Sequence, residues 1–488
     1  MTQSGRAIVA EQPDEAETAT RPVLTDVSDF LFALEAEFKL VDRPFYGAPT
    51  WAYLRNVVCN ILFAHIGAYS NKNTFRETPR PIISNFDKWV RKNPFLNVTR
   101  KRFVVIGSPV MYREGDRLVD LYTDDLVSDL PSDDSELVRL ESAALRKPAS
   151  GTIRSYNNDC IEFLYRHARS FHSRAIERKP VNRPDLEALE EITGRIRKRF
   201  GAELPISAMA RDAAVHFLAQ RSAWMPYFRL RRPQFVFLGV QSYGYEGLIS
   251  AAQRCGATVA ERQHGLVSNF HYGYHFPGCP VVPNRPEIYL MFGPGWEHAG
   301  DYPKNTKCLS YGFEPILKAR QRLASGEWVK RPNLAVLSSD PFCHELLVSA
   351  IEAILTRDPA MTAAIRSHPG DPFDYAGEVR RRGLGARVTI ASNLEPVHRF
   401  IATSEYVLTG PSTVTAEAMA LSCKVICVAL QYRSGMERLL QGTAVKFADS
   451  VPDIVTAFAT VAAPTEDYGF FEPGRLNLLE LIKSGKIS

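Results

Sequence analysis

The stretch best suited to chemistry is Thr409-Gly410-Pro411-Ser412-Thr413, which leaves the strand-like Tyr406 to Leu408 and runs directly into the helix-like Thr413 to Leu421. Ser412 or Thr413 is the natural N-cap. A helix start leaves backbone N–H groups without intrahelical acceptors and carries the positive end of the helix dipole. With two added hydroxyls, such a turn is a ready phosphate site. Glu417, about one turn in, is placed to accept hydrogen bonds from ribose hydroxyls. A second strand end, Ile365-Arg366-Ser367-His368-Pro369-Gly370, holds His368 out of helical geometry through its proline, so that the imidazole can donate to a phosphate oxygen, with Arg366 as a further cation. Ser338-Ser339-Asp340 closes another strand. Ser339 there either touches the same ligand or caps the helix that follows.

Earlier in the chain two further openings stand out. Gln241-Ser242-Tyr243-Gly244-Tyr245-Glu246-Gly247 follows the apolar Phe235 to Val240, and Glu246 is the carboxylate best placed to take a proton from a hydroxyl; a first-turn glutamate answering the helix dipole is the competing assignment. Ala260-Glu261-Arg262-Gln263-His264-Gly265 leads into an aromatic loop, residues 269–278, with His271, Tyr272, Tyr274 and His275. Its flat rings suit sugar faces, and the loop reads as poor core material. Gln263, His271, Tyr272 and Tyr274 are therefore the expected hydroxylated-ligand contacts, and His264 is the reserve base. The spacing of His264, His271 and His275 matches no helix-borne metal site, so no metal or other cofactor is expected.

Elements must bring these loops together. From Phe103 to about Phe313, apolar strands (Phe235 to Val240, Ala257 to Arg262, Glu287 to Phe292) alternate with helix-length segments. After the charged linker Lys318 to Arg331 the rhythm restarts with Leu334 to Leu337, Thr362 to Arg366, Val388 to Ile390, Tyr406 to Leu408 and Lys424 to Val428. Strands alternating with helices call for parallel sheets covered on both faces, and ligands then bind outside the carboxyl ends of the strands. The chain is expected to be α/β: a tail over 1–25, a helical cap over 26–97, and two tandem Rossmann-like doubly wound domains over 98–316 and 317–488.

Composition narrows the classes. The 488 residues are 45% hydrophobic and 23% charged with a net charge of +5, which fits a globular chain and not disorder. The most apolar candidate for a membrane span, Val57 to Tyr69, is broken by Asn60, His65 and Gly67. The acidic start lacks an apolar h-region, so the expected compartment is the cytoplasm. Eight cysteines form no C-x-x-C pair. No nucleic-acid-binding signature appears, nor any G-x-x-x-x-G-K-[ST], G-x-G-x-x-G, H-E-x-x-H, G-x-S-x-G or Asp-x-Asp. Basic clusters at Arg195 to Arg199, Arg229 to Arg232 and Arg380 to Arg382 offer peripheral contact with anionic lipid.

The His368-Pro369 strand end, the Gly410-Pro411-Ser412-Thr413 turn and the following Glu417-Ala418-Met419-Ala420-Leu421-Ser422-Cys423-Lys424-Val425-Ile426 resemble the GT-B glycosyltransferases, many of which carry Glu-Ala-x-Ala-x-Gly-x-Pro-Val-Ile. Ser422 and Lys424 stand at the glycine and proline positions. The segments 47–55, 119–124 and 262–265 are similar to bacterial capsule and surface-polysaccharide enzymes, including the sialyl- and Kdo-transferase-like proteins. There His-Pro and Ser-Ser/Thr motifs hold a CMP-sugar donor and an acidic-acidic-glycine motif supplies the base. Glu246-Gly247 keeps the last two positions of that motif, with Tyr245 in place of the first acid. The resemblance implies a metal-independent, inverting transfer of sugar from a CMP- or NDP-sugar to a surface glycan or lipid-linked oligosaccharide (capsule, O-antigen or lipopolysaccharide). His368, Ser412, Thr413, Glu417, Ser339 and Arg366 would lie on the donor, and Glu246 or His264 would act as base. A UDP-sugar 2-epimerase-like enzyme and a non-catalytic glycan-binding protein are the alternatives.

Overall fold

The computed structural model describes residues 24–67, 93–96, 99–108, 111–114, 117–139, 154–178, 182–239, 244–338, 343–368, 371, 373–393 and 395–487. Two parallel sheets organise the chain. The first contains β1 (Phe103–Ile106), β4 (Ser135–Arg139), β5 (Arg154–Asn157), β6 (Phe235–Leu238), β7 (Thr258–Arg262), β8 (Ile288–Met291) and β9 (Lys307–Ser310), in the order β5-β4-β1-β6-β7-β8-β9. A two-stranded antiparallel ribbon, β2 (Met111–Glu114) with β3 (Arg117–Asp120), follows β1. The second sheet contains β10 (Arg331–Ser338), β11 (Thr362–Ser367), β12 (Val388–Ile390), β13 (Ser404–Thr409), β14 (Lys424–Cys427) and β15 (Lys446–Phe447), in the order β12-β11-β10-β13-β14-β15. Every pairing in both sheets is parallel. Renumbered within its lobe, the second sheet reads 3-2-1-4-5-6, the doubly wound order, and the first is that order with one strand more. This is the two-domain α/β, GT-B-like fold expected from the alternation of segments.

Burial explains why these runs become strands. β1, β6 and β8 are buried at every position, as central parallel strands covered on both faces must be. Their side chains divide between a core below the sheet, with Phe103, Phe237 and Leu290, and one above it, with Val104, Val236 and Trp224.

The expected domain limits shift in two places. The helices Leu24–Phe38 and Trp51–His65 do not form a free-standing cap. They share a core with the Arg183–Phe200 and Ile206–Arg231 helices of the first lobe, through Leu31, Leu54, Leu62, Leu189, Ile192 and Ile206. The chain also returns from the second lobe to the first. The Leu478–Lys483 helix buries Leu478 and Leu481 against Phe103, Leu126 and Tyr311, so the last residues belong to the first lobe. Residues 1–23 of the tail expected over 1–25, and residues 68–92 of the cap expected over 26–97, lie outside the described residues.

No helix among the described residues is long and apolar enough to cross a membrane.

Candidate functional site at the lobe interface

In each sheet the strand order reverses at one point, and ligands of doubly wound folds sit there, outside the carboxyl ends. For the second lobe the reversal falls between β10 and β13. β13 ends at Thr409, and the turn Gly410-Pro411-Ser412 delivers the chain to the Thr413–Ala420 helix. Ser412 is extended (φ −160°, ψ 160°), and its Oγ accepts from Val414 N at 3.1 Å. That commits one lone pair of Ser412 to the cap and leaves its O–H proton to an incoming group. Thr413, half-buried, opens the helix.

Beside this turn, across β10, the chain builds a clamp that sequence reasoning missed. Asp371 Oδ2 accepts from the Ser338 hydroxyl at the end of β10 and lies 2.9 Å from His344 Nε2 at the start of the following helix. Asp371 Oδ1 accepts from Phe373 N at 3.0 Å, and Asp371 N donates to His368 O at 2.8 Å. One carboxylate thus ties the ends of β10 and β11 together and fixes the loop that carries His368. The available signal was a carboxylate three residues past His368, between Gly370 and Pro372. His368 is exposed at the end of β11, and Arg366 is half-buried within that strand, where burial lowers its pKa against the pull of Glu395. Ser339 lies outside the described residues.

The two lobes meet through a chain of rings and ionisable groups. Tyr122, just past β3, packs edge-on to His264 (centroids 6.3 Å apart) and stacks on Phe313 (6.2 Å), which in turn meets the His398 ring at 5.7 Å. His398 Nε2 lies 3.4 Å from Glu417 Oε2. Burial raises the Tyr122 pKa, and the Glu417 charge raises it further. Glu417, expected at the open mouth, is instead buried and turned toward His398, because the residues of the Thr413–Ala420 helix from Thr415 to Met419 pack inward. That arrangement removes it from direct ribose contact.

In the first lobe Glu246 opens the Glu246–Arg254 helix, buried to 4% exposure. Its Oε2 accepts from Gly244 N at 2.8 Å, and its Oε1 has no hydrogen-bond partner among the described residues. Burial holds the carboxyl above the usual carboxylate range, with the buried Arg285 guanidinium pulling the other way. Gly244 O accepts from His216 Nε2 at 3.1 Å and Gln220 Nε2 at 2.9 Å; His216 Nδ1 lies 2.8 Å from Tyr165 Oη, and Tyr53 stacks on the His216 ring. His264 is half-buried at the end of β7, its Nδ1 3.3 Å from Tyr274 Oη. Burial, reinforced by His271, drives it down to about 3, and burial drives His271 down to about 4. Both imidazoles are neutral near pH 7, and with its conjugate acid made this strong His264 is a poor base.

The aromatic loop is a correction. Tyr272 and Tyr274 are buried core residues with their hydroxyls committed, Tyr272 Oη to Ser28 Oγ at 2.5 Å and Tyr274 Oη to Glu261. Gln263 is fully buried; its Oε1 accepts from Phe292 N at 2.9 Å and its Nε2 donates to Gly265 O. None of the three is open to a ligand. For Tyr272 the reason is Arg55, which no spacing rule singled out. Its Nε and Nη2 donate to Glu35 at 2.7 and 2.8 Å, and its Nη1 donates to the carbonyls of Tyr272 (3.2 Å) and His275 (2.9 Å). The guanidinium also lies 4.2 Å from the Phe276 ring centroid. The loop is thereby drawn into the seam beneath the N-terminal helices.

Among the described residues no group of three or more His, Cys, Asp or Glu side chains could hold a metal ion. A cavity of about 440 Å³ touches the Thr413–Ala420 helix through Ala416, Met419 and Ala420, on the side of Arg320 and Tyr468 and not at Ser412.

No family model and no curated sequence matches the chain. Among solved structures it is similar to UDP-GlcNAc 2-epimerase from Neisseria meningitidis bound to UDP-GlcNAc, at 13% identity over 79% of this chain and 99% of that one, TM-score 0.44. It is also similar to UDP-GlcNAc 2-epimerase from Methanocaldococcus jannaschii (9% identity, 78% and 99%, TM-score 0.43). The pneumococcal O-GlcNAc transferase GtfA in complex with UDP and GlcNAc matches over half the chain (14% identity, 50% and 52%, TM-score 0.34). Identities this low leave the chemistry to this chain's own residues.

Proposed function

We propose that the chain is a glycosyltransferase that moves a sugar from a nucleotide-sugar to a hydroxyl of a glycan or lipid-linked acceptor without a metal. Two strand-end features, one in each lobe, support this reading. The second lobe has a hydroxyl-capped helix start at its reversal point, and the first has Glu246, a buried carboxylate whose Oε1 has no hydrogen-bond partner among the described residues. Glu246 takes the acceptor O–H proton as that oxygen bonds to the anomeric carbon. The bond from the anomeric carbon to the phosphate oxygen breaks, and its electron pair leaves with the phosphate. Backbone N–H groups of the helix start, the Ser412 and Thr413 hydroxyls and His368 receive that charge, each well-placed donor being worth about 2–4 kcal/mol in such sites. A single base acting in one displacement inverts the anomeric centre.

A thermal-shift panel of CMP, UDP, GDP and CDP tests the first half. A nucleotide at 100 times its Kd adds about 2.7 kcal/mol to stability, which reads as a raised melting temperature. Product analysis tests the second half. Nucleotide release that requires an acceptor supports transfer, whereas a rearranged sugar with the nucleotide still attached assigns an epimerase. No shift with any of the four nucleotides overturns both.

A further inference from the structure

Each basic cluster legible in the sequence is partly neutralised by carboxylates of the protein. Arg195 pairs with Glu37 and Glu191, Arg231 is buried on Glu136, and Arg382 is held by Glu378, Glu345 and Glu352. Unpaired charge combined with exposed aromatic rings lies elsewhere, on the Asp159–Glu177 helix. Its inner face packs through Ile161 and Ile176. Its outer face carries Phe163 at 46% and Phe171 at 68% exposure, a high value for so apolar a side chain. Residues 163, 167 and 171 follow one another at intervals of four and so share a face, with Arg174 and Arg178 continuing it at the next turns. Arg174 and Arg178 are exposed and have no ion-pair partner among the described residues. Arg166, beside Phe163, is shared with Glu162 at 3.1 Å.

We infer that this helix face docks on an anionic bilayer surface, with Phe163 and Phe171 entering the headgroup boundary and the arginines meeting lipid phosphates. Exposed aromatic side chains among unpaired arginines on one helix face are the pattern that holds a helix in the plane of a membrane. Lipid phosphates supply the countercharge for the arginines, and the exposed parts of the rings, which otherwise meet only His167 and His172 among the aromatic contacts of the described residues, gain apolar surroundings.

The helix also leads to the candidate site. On its inner side Tyr165 Oη lies 2.8 Å from His216 Nδ1, His216 Nε2 lies 3.1 Å from Gly244 O, and Gly244 N donates to Glu246. A membrane-seated helix would therefore hold the mouth at Glu246 close to the lipid surface, which fits an acceptor carried on a lipid. That last step rests on the functional reading above; the docking itself does not.

The test is vesicle flotation of the full chain without substrates, so that its failure is separable from a failure of the catalytic reading. Vesicles of phosphatidylglycerol with phosphatidylcholine are compared with phosphatidylcholine alone. The wild type is expected to float with the anionic vesicles and to be released by 0.5 M salt, since exposed charges are screened within a few ångströms there. Phe163→Ser/Phe171→Ser should lose more than tenfold in partitioning. Arg174→Ala and Arg178→Ala should each lose about fivefold on anionic vesicles and nothing on neutral ones. Because all four side chains are exposed, the variants should keep the wild-type melting temperature, which a parallel melt checks. Equal partitioning of wild type and variants overturns the proposal. So does a dimer, seen in sedimentation velocity, that the Phe163→Ser/Phe171→Ser change abolishes while vesicle binding persists, which would assign the face to a second copy of the chain.

Discussion

Replacing Arg55 with Met tests whether the seam between the N-terminal helices and the 268–276 loop is held by one buried charge. Arg55 is fully buried, and Glu35, its partner, is 8% exposed. The substitution preserves much of the apolar stem while deleting the bidentate contact to Glu35 and both donors to the Tyr272 and His275 carbonyls. Glu35 would keep only Trp51 Nε1, at 2.9 Å. Removing one member of a buried pair strands the other charge and costs about 3–5 kcal/mol. Against a usual total of about 5–15 kcal/mol this is a large share, and at about 2–4 °C per kcal/mol it corresponds to a fall in Tm of roughly 6–20 °C. Glu35→Leu should cost a similar amount by stranding the guanidinium. The double change, Glu35→Leu with Arg55→Met, leaves no stranded charge and should recover most of the loss, since an apolar replacement of a buried pair is often neutral. Urea unfolding of the four proteins closes the double-mutant cycle. Single costs below about 1 kcal/mol, or a double variant as unstable as the sum of the singles, would refute the reasoning.

Other outcomes follow from the site. Glu246→Gln should lower the transfer rate by about 10²–10⁴-fold with the nucleotide-induced melting shift unchanged, read by steady-state kinetics beside thermal shift. Because burial raises the folded pKa of Glu246, the stability it contributes is retained at low pH and lost as pH rises through its folded value. Glu246→Gln should therefore gain in stability relative to wild type toward pH 8, and the gain should shrink toward pH 4; a pH-independent difference in urea midpoints would contradict this. Ser412→Ala should cost about 1 kcal/mol as a lost cap and weaken nucleotide binding, whereas Ser412→Thr should preserve both, measured by unfolding and calorimetry. Gly293→Ala should destabilise by about 1–3 kcal/mol in urea, because an added Cβ would stand 2.5 Å from the Gly469 carbonyl oxygen in the crossing between lobes.

Much of the fold was legible because parallel strands are written as local apolar runs. The Leu334 to Leu337 and Val388 to Ile390 segments could be read without knowing their neighbours, and the Gly410-Pro411-Ser412-Thr413 turn declared its own helix start. What failed depends on distant partners. Tyr272 and Tyr274 look like loop aromatics until Arg55 and Ser28, more than two hundred residues away, bury one of them and Glu261 takes the hydroxyl of the other. Glu417 has the position of a ribose acceptor along its helix, but whether it faces outward is decided by His398 on another element. Asp371 was overlooked because a carboxylate between glycine and proline is also an ordinary turn residue; only the juxtaposition of β10 with β11 gives it Ser338 and His344.

The return of the chain to the first lobe bears on the timing of biogenesis. Asp129 accepts from Arg475 Nη2 at 2.6 Å, from Leu478 N at 2.9 Å and from Tyr311 Oη at 2.7 Å, while Leu481 and Ile487 fill the layer over Phe103. Domains tend to fold in order of emergence from the ribosome. Here the earlier lobe keeps an open apolar groove, and a carboxylate held by Tyr311 without Arg475 or the Leu478 N–H, throughout translation of the later one. A nascent chain arrested before residue 470 would expose that groove to chaperones and proteases, even with every strand of both sheets already made.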